Sequence, residues 1–412
     1  MGKPEWRPML AYVVKLHEAS LHPAAPPFAY PWEDMGRGYL IGPAIGNWDL
    51  VHEIFDVQTM SPEFGREQLL NYLGLQHPSG YIPAAYWKQE HREWYPYNQT
   101  SPPVWVVAAD EYLQAEAREH TGTYDKELVA RFLKSLELEV GWFERNRRAA
   151  PDGFLYTDVV TGEWESGVDQ GIRWDGTGPG HVPKMTACVD ATSLVYQMYV
   201  YEAKWRKILG RDAKTPAVKA RHLRHFIQEH LWSERDGFFY DSWVLDHSPD
   251  GPKETWKGTI AADRPHAFEG MWPVVVGAAT DEQARRVVKE WLLNKERFFT
   301  VHPIASVAKD DPRFGDRMWR GPSWNATTYW AARGAMRYGL REDAHTLLGA
   351  ALDDSAKQFD RTGTIWEFYS ANGDKPEDLK RKPFRNYPYN DYLGLNPLIA
   401  MARLWETSGT GK

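Results

Sequence analysis

CVDATSLVYQMYVYEAKWRKILG, residues 188–210, leads through a short turn into TPAVKARHLRHFIQEHLW, residues 215–232, and the contrast between the two decides the fold. The first is apolar almost all round over its opening turns, which suits a helix buried on every side. The second keeps its apolar residues on one stripe at helical spacing, with Lys, Arg and His on the other face, which suits a helix half open to water. The pairing recurs along the chain. NWDLVHEIFDVQTM (47–60) precedes a helix predicted to start at Ser61-Pro62, with Pro at the first helical position and Glu63 in the first turn, and to run to about Leu75. SPPVWVVAADEYLQAEAREH (101–120) precedes TYDKELVARFLKSLELEVGWFERN (123–146). Later come RPHAFEGMWPVVVGA (264–278) with TDEQARRVVKEWLLN (280–294), and GPSWNATTYWAARGAMRYG (321–339) with REDAHTLLGAALDDSAKQF (341–359). Residues 8–20 and NDYLGLNPLIAMARLW (390–405) add one helix at each end, whereas the Pro-rich stretch 22–43 reads as an irregular arm and QHPSGYIPAAYW (76–87) as a turn.

About twelve helices result, mostly in pairs whose first member follows a long loop and whose second follows a short turn. Six such hairpins close into an inner and an outer ring. The expected fold class is therefore an all-α (α/α)6 toroid, formed by residues 1–412 as one domain, for no linker interrupts the pattern. The loops before the inner helices then share one mouth. The repeat rests on element pairing alone, without an internal sequence period, and open helical stacks or two domains are the alternatives.

With 42% hydrophobic and 25% charged residues the chain has the composition of a globular protein, but its 20 Trp and 21 Tyr exceed what that composition needs. Many stand beside Asp, Arg or Asn, as a site that stacks on the apolar faces of sugar rings requires; a large aromatic core is the alternative. A net charge of −7 gives no basic field for nucleic acid or for an anionic membrane. The lone Cys188, in an apolar run, reads as a small buried hydrophobe without redox or metal role. No HxxxH or His/Asp cluster suggests a metal, and no cofactor is implied. The first residues lack the apolar core of a signal peptide and no uninterrupted apolar run reaches membrane-spanning length, so the expected location is the cytoplasm. Nothing in the sequence sets an oligomeric state.

The chemistry is expected in WESGVDQGIRWD, Trp164–Asp175, whose apolar positions fit neither helix nor strand and which Gly162, Gly167 and Gly171 punctuate. Glu165 and Asp169 flank the Gly167 hinge, so one carboxylate can face a substrate while the other is tied into the local frame. A solvated acidic loop is the bland alternative, but it gains nothing from Trp164 and Trp174, or from Arg173 between the acids and the second indole. Three further clusters fall on loops of the same mouth. They are GNWDLVHE with Trp48 and Asp49, MWRGPSWNATTYW with Trp319, Arg320, Trp324 and Asn325, and GTIWEFYSANG with Glu367. In each an indole adjoins a group able to bond vicinal hydroxyls, which matches a pyranose, so a small carbohydrate is the expected partner.

Taken together these stretches resemble the bacterial members of glycoside hydrolase family 63 and their relatives the trehalases. WESGVDQGIRWD is similar to the family's WESG-x-D-x-S-x-R-[FW] loop, MWRGPSWN to its WRGP-[IV]-W-x-N stretch, IWEFY to its late loop and GNWDLVHE to its early WD loop. TDEQARRVV and HPIASVAKDDPRF resemble the segment leading into the WRGP stretch. The resemblance implies an (α/α)6 enzyme that cleaves α-glycosides with inversion. It implies Asp169 as general acid, Glu367 as general base, and Trp48, Asp49, Trp164, Glu165, Gly167, Arg173, Trp319, Arg320, Trp324 and Asn325 around the sugar. Small relatives hydrolyse mannosylglycerate and glucosylglycerate, so a compact α-glucoside or α-mannoside, trehalose included, is the implied substrate. The chain departs where the family reads Asn-Ser-Pro and this sequence reads Gln170-Gly171-Ile172, and where a frequent Gln is Ser101.

Inversion needs an acid on the glycosidic oxygen and a base on a water at the opposite ring face, with carboxyls roughly 6.5–9.5 Å apart. Asp169 has to carry a proton, kept there by the walls of Trp164 and Trp174, and Glu367 has to stay charged, with Arg173 and Arg320 available to hold it or to bind hydroxyls. Glu165 is expected to position a neighbouring arginine or the water's surroundings. Two other readings use the same residues differently: a sugar 2-epimerase or isomerase working through His52, His181, His266 or His302, and a sugar-binding protein without catalysis, which would not need both carboxylates.

Overall fold

The computed structural model describes residues 2–89, 92–94, 99–149, 152–156, 165–175, 187–243, 259–260, 266–382 and 386–409. Twelve α-helices lie among them. In chain order they are α1 Arg7–Ala19, α2 Asn47–Met60, α3 Pro62–Gly74, α4 Trp105–Glu119, α5 Lys126–Asn146 and α6 Val189–Ile208. Then follow α7 Lys214–His230, α8 Trp272–Val276, α9 Asp281–Arg286, α10 Asn325–Arg337, α11 Arg341–Thr362 and α12 Leu398–Gly409. The even-numbered helices touch in sequence, α2 to α4, α4 to α6 and onward to α12, and α12 packs back on α2, which closes the inner ring. The odd-numbered helices stand outside, and α1 serves as the outer partner of α12 at the far end of the chain. This is the expected toroid.

Burial follows the sequence contrast. In α6 every residue from Val189 to Tyr199 is buried, and in α2 nearly all from Asn47 to Val57, whereas α7 buries only Pro216, Ala220, Leu223, Phe226 and Ile227, one stripe at helical spacing. Cys188 is fully buried beside the α6 N-terminus. No described helix is long and apolar enough to cross a membrane.

The structure differs from the sequence reading in several places. The inner helix expected in RPHAFEGMWPVVVGA is only α8, preceded by a 3-10 turn at Phe268–Met271; Pro273 sits in its first turn and Gly277, left-handed at φ 79°, ends it. The outer helix after it begins with a Thr280–Gln283 capping box but widens from Val287 to Leu292 into a π-helical turn. Most relevant to the site, the segment read as a turn ends in a strand. Ala44–Gly46 (β1), Ala85–Gln89 (β2) and Arg92–Trp94 (β3) form an antiparallel sheet in which Ala44 faces Trp87 and Gly46 faces Ala85. The last helix likewise starts only after Pro397, leaving residues 390–396 as a loop with Asp391 at φ 50°.

Candidate active site

Residues at or before the N-termini of the inner helices α2, α4, α6, α10 and α12 surround a pocket of about 120 Å³. Its wall takes Met35 and Tyr39 from the loop after α1, Gly46 from β1, and Trp48 and Asp49 from the first turn of α2. Ala84, Ala85 and Trp87 come from around β2. Gly167 and Asp169 come from the loop before α6, Met318, Trp319 and Trp324 from the stretch before α10, and Glu367, Arg381, Lys382 and Tyr392 from the loop before α12. Asp169 and Glu367, nearly half the chain apart, thus share one cavity.

Glu367 is almost fully buried, with its charge answered on three sides. Arg381 donates from Nε to Oε2 at 2.6 Å and from a terminal nitrogen to Oε1 at 2.7 Å, and the Tyr389 amide donates to Oε2 at 3.0 Å. The Arg381 guanidinium lies 4.2 Å over the Tyr389 ring, so the fork is held from behind. Tyr369 and Ser323 exchange two backbone hydrogen bonds at 2.9 Å, which ties the Glu367 loop to the residue before Trp324. Trp324 stacks on Trp319 with ring centres 4.0 Å apart and planes 6° from parallel.

Asp49 lies against Gly46 and Gly394, where a Cβ would come within 2.1 and 2.6 Å of its carboxylate, and Tyr392 donates its hydroxyl to Oδ1. Burial pushes the Asp49 carboxyl up to about 6; the Tyr392 hydroxyl opposes this, while the charges of Glu367 and Asp169 add to it. Asp169 is touched by the ammonium of Lys382. Its loop turns through left-handed Gly167 and Gln170, at φ 75° and 61°, and packs Gly167 on Trp48.

That loop is clamped on both sides by buried arginine pairs. Before it, Glu165 accepts from Arg147 at 2.7 and 2.9 Å and from the Thr100 amide at 2.9 Å. After it, Arg173 reaches Asp190 at 2.9 and 3.1 Å and Asp241 at 3.0 Å, with Glu269 3.8 Å away. Burial of Glu269 pushes its carboxyl up to about 7, against the pull of Arg173. At the rim Arg320 pairs with Asp175 at 2.9 and 2.5 Å and donates to the Gln170 carbonyl at 3.3 Å.

Of the residues singled out in the sequence, Trp48, Asp49, Gly167, Asp169, Trp319, Trp324 and Glu367 meet on the pocket wall. Glu165 and Arg173 stand behind it in the clamps, Arg320 stands at the rim, and Trp164 lies outside the described residues. Asn325 is buried behind Trp324, donating to Asn396 at 2.8 Å and Ser355 at 3.1 Å, with His302 Nε2 3.1 Å from its Oδ1. His52 is buried between the Gly394 carbonyl and the Trp330 indole, and burial lowers its pKa to about 3. Neither His52, His266 nor His302 lines the pocket, and His181 lies outside the described residues. Arg381, Lys382, Tyr392, Tyr39 and Trp87 are wall residues that the sequence reading missed. Among the described residues the side chains close enough to share a metal ion are Cys188, Asp190 and Asp241, and the Arg173 guanidinium already bonds both carboxylates.

The sequence profile of the mannosylglycerate hydrolase MGH1-like glycoside hydrolase domain matches residues 42–381. Among solved structures the fold is similar to a GH63 mannosylglycerate hydrolase from Thermus thermophilus in complex with glucose. The TM-score is 0.70 at 16% identity, over 96% of this chain and 99% of that one. The same hydrolase in complex with Tris and D-glycerate gives a TM-score of 0.70 at 16% identity, over 97% and 100% of the two chains. The neutral trehalase Nth1 from Saccharomyces cerevisiae gives 0.65 at 15% identity, over 98% of this chain and 80% of that one.

Proposed function

Because the chain belongs to the mannosylglycerate hydrolase MGH1-like glycoside hydrolases, we propose that it is an inverting, exo-acting hydrolase of a small α-glucoside or α-mannoside. The observation that carries this reading is the pair Asp169 and Glu367 on one pocket wall, each with its own cation. In the proposed reaction Asp169 gives a proton to the glycosidic oxygen. Glu367, oriented by Arg381 and the Tyr389 amide, takes one from the water that attacks the opposite face of the anomeric carbon. A pocket of about 120 Å³ among the described residues is on the scale of a single sugar ring, which favours an exo mode. Trp48, Trp319 and Trp324 supply stacking surface, and Asp49 an acceptor for hydroxyls. Glucose and D-glycerate, found in the Thermus thermophilus structures, suggest the kind of glycone and leaving group to try first.

The test is a screen of α-glucosides, α-mannosides, trehalose and glycosylglycerates, with the anomer first released read by proton NMR. Release of a β-anomer from an α-glycoside is the expected result. An α-anomer first from a glycoside whose leaving group is not a sugar, or epimerised sugar without hydrolysis, overturns the reading; trehalose cleaved with inversion gives one α- and one β-glucose.

A further inference from the structure

His52 belongs to α2, one turn after Trp48, and it is fully buried without lining the pocket. Both of its ring nitrogens are occupied. Trp330, on α10, places its indole nitrogen 2.9 Å from Nε2. An indole N–H can only donate, so Nε2 has to be the bare, accepting nitrogen of the ring. The ring proton is then on Nδ1, 3.2 Å from the Gly394 carbonyl that accepts it. Burial favours the same neutral form, lowering the pKa to about 3 against the pull of the Gly394 carbonyl and then of the Trp48 and Asp49 carbonyls. A ring tied at both nitrogens has none left for a substrate proton, so His52 does not suit the proton transfer of an epimerase.

Gly394 lies in the loop that leads into α12, and that loop meets the pocket at Tyr392 and Leu395. Its neighbours are tied elsewhere: the Leu393 amide donates to the Met35 carbonyl at 2.9 Å, and the Leu395 carbonyl accepts from the Ala326 amide at 3.0 Å. Gly394 itself presses on Asp49, where a Cβ would stand 2.6 Å from Oδ1, and Tyr392 donates its hydroxyl to that same oxygen. Through one carbonyl, His52 thus reaches the turn that sets where the Asp49 carboxylate lies. Its ring also meets the Trp48 indole edge to face, with centres 5.0 Å apart.

We propose that His52 is a positioning residue for the sugar site. Locked by Trp330 with its proton on Nδ1, it holds the Gly394 carbonyl and with it the turn that carries Tyr392 onto Asp49, so that the Asp49 carboxylate keeps one orientation towards the sugar hydroxyls. This rests on the reading of Asp49 as an acceptor for those hydroxyls. A buried carbonyl that loses its donor is left unsatisfied, and the turn that carries it shifts to find another. Asp49 then loses its alignment without losing its charge.

Two substitutions separate the halves of the ring. The amide of Asn reaches the place of Nδ1 and can donate to Gly394, whereas the amide of Gln reaches the place of Nε2 and can accept from Trp330 without donating to Gly394. Each discards one buried hydrogen bond, so a ring that only stabilised the fold would lose stability and activity alike in both. On the best substrate of the glycoside screen, His52→Gln is expected to lower kcat/KM about five- to tenfold, mostly through KM, and His52→Asn to stay within about twofold, with thermal midpoints recorded for each. Nitrogen-15 NMR of the histidine rings, with His52 assigned by its loss in His52→Asn, is expected to show the proton on Nδ1 at neutral pH. Equal kinetic losses in the two variants, a greater loss in His52→Asn, or a proton on Nε2 overturns the inference. If His52→Gln does not fold, the ring proton and the kcat/KM of His52→Asn still decide. Unchanged kcat/KM in Asp49→Asn would instead overturn the reading of Asp49 as a hydroxyl acceptor, and it would leave the NMR result as it stands.

Discussion

Arg381 grips both carboxylate oxygens of Glu367, at 2.6 and 2.7 Å, and the two side chains are 7% and 2% exposed. A fork of this kind fixes the plane of the carboxylate as well as its charge, which a base aimed at a single water requires. Lysine keeps the charge and loses the fork. Arg381→Lys is therefore expected to lower kcat by roughly 10- to 100-fold, the scale of a small misplacement at a reacting centre. Arg381→Met, which strands a buried charge, should also cost about 3–5 kcal/mol of stability. Steady-state kinetics beside urea unfolding separates the two effects.

The proposed roles of Asp169 and Glu367 make different demands on the leaving group. Asp169→Asn should cripple glycosides with poor leaving groups by about 10²-fold or more and spare activated aryl glycosides or glycosyl fluorides, which need less protonation. Glu367→Gln should abolish turnover of both kinds, since water has to be activated either way. Near-normal turnover in Glu367→Gln contradicts the assignment.

Asp49 gives a prediction about pH. Its carboxyl is raised to about 6 by burial, so its protonated form is the one the fold accommodates. Its contribution to stability is thus full below the ordinary aspartate value of about 4 and is lost as pH rises through about 6. Asp49→Asn removes that dependence. The variant should match the wild type at pH 4, be the more stable protein at pH 8 and bind sugar more weakly; thermal unfolding at both pH values checks the sign.

Trp48 and Trp324 are 6% and 1% exposed, and their indole N–H groups have no acceptor among the described residues. Truncation to Ala would cost roughly 3–5 kcal/mol from lost packing alone and confound any binding measurement. Phe keeps an aromatic face for stacking while removing the donor and part of the ring, a far smaller packing loss than Ala. Trp48→Phe and Trp324→Phe should each weaken a glycone-site ligand about 2- to 10-fold, the value of one neutral hydrogen bond. Calorimetric titration with a sugar that the wild type binds provides the readout.

Arg173 is the cation that Asp190, Asp241 and Glu269 share. Arg173→Ala removes the cation that the three buried carboxylates share, and we expect a loss of about 3–5 kcal/mol, largest at high pH where all are charged. Arg173→Ala together with Asp190→Asn should recover part of it. A double-mutant cycle by chemical denaturation measures that coupling.

The helical pairing was legible in the chain because burial on all sides and burial on one stripe leave different residue patterns, as Val189–Tyr199 and Lys214–His230 show. The four clusters that join an indole to a charged or amide side chain were legible for a similar reason: such pairs are uncommon on a solvated loop. The direction each polar side chain faces was not legible. Glu165 and Arg173 stand in the same motif as Asp169, and Asn325 stands beside Trp324, yet they face Arg147, Asp190 and Asn396 behind the wall. Arg381 and Lys382, in a run that reads as solvated charge, face the two carboxylates assigned to catalysis. Local sequence fixes periodicity, since that depends on neighbours a few residues away. The orientation of a charged group depends on which counter-charge the closed ring brings to it, and for Lys382 that partner lies 213 positions away.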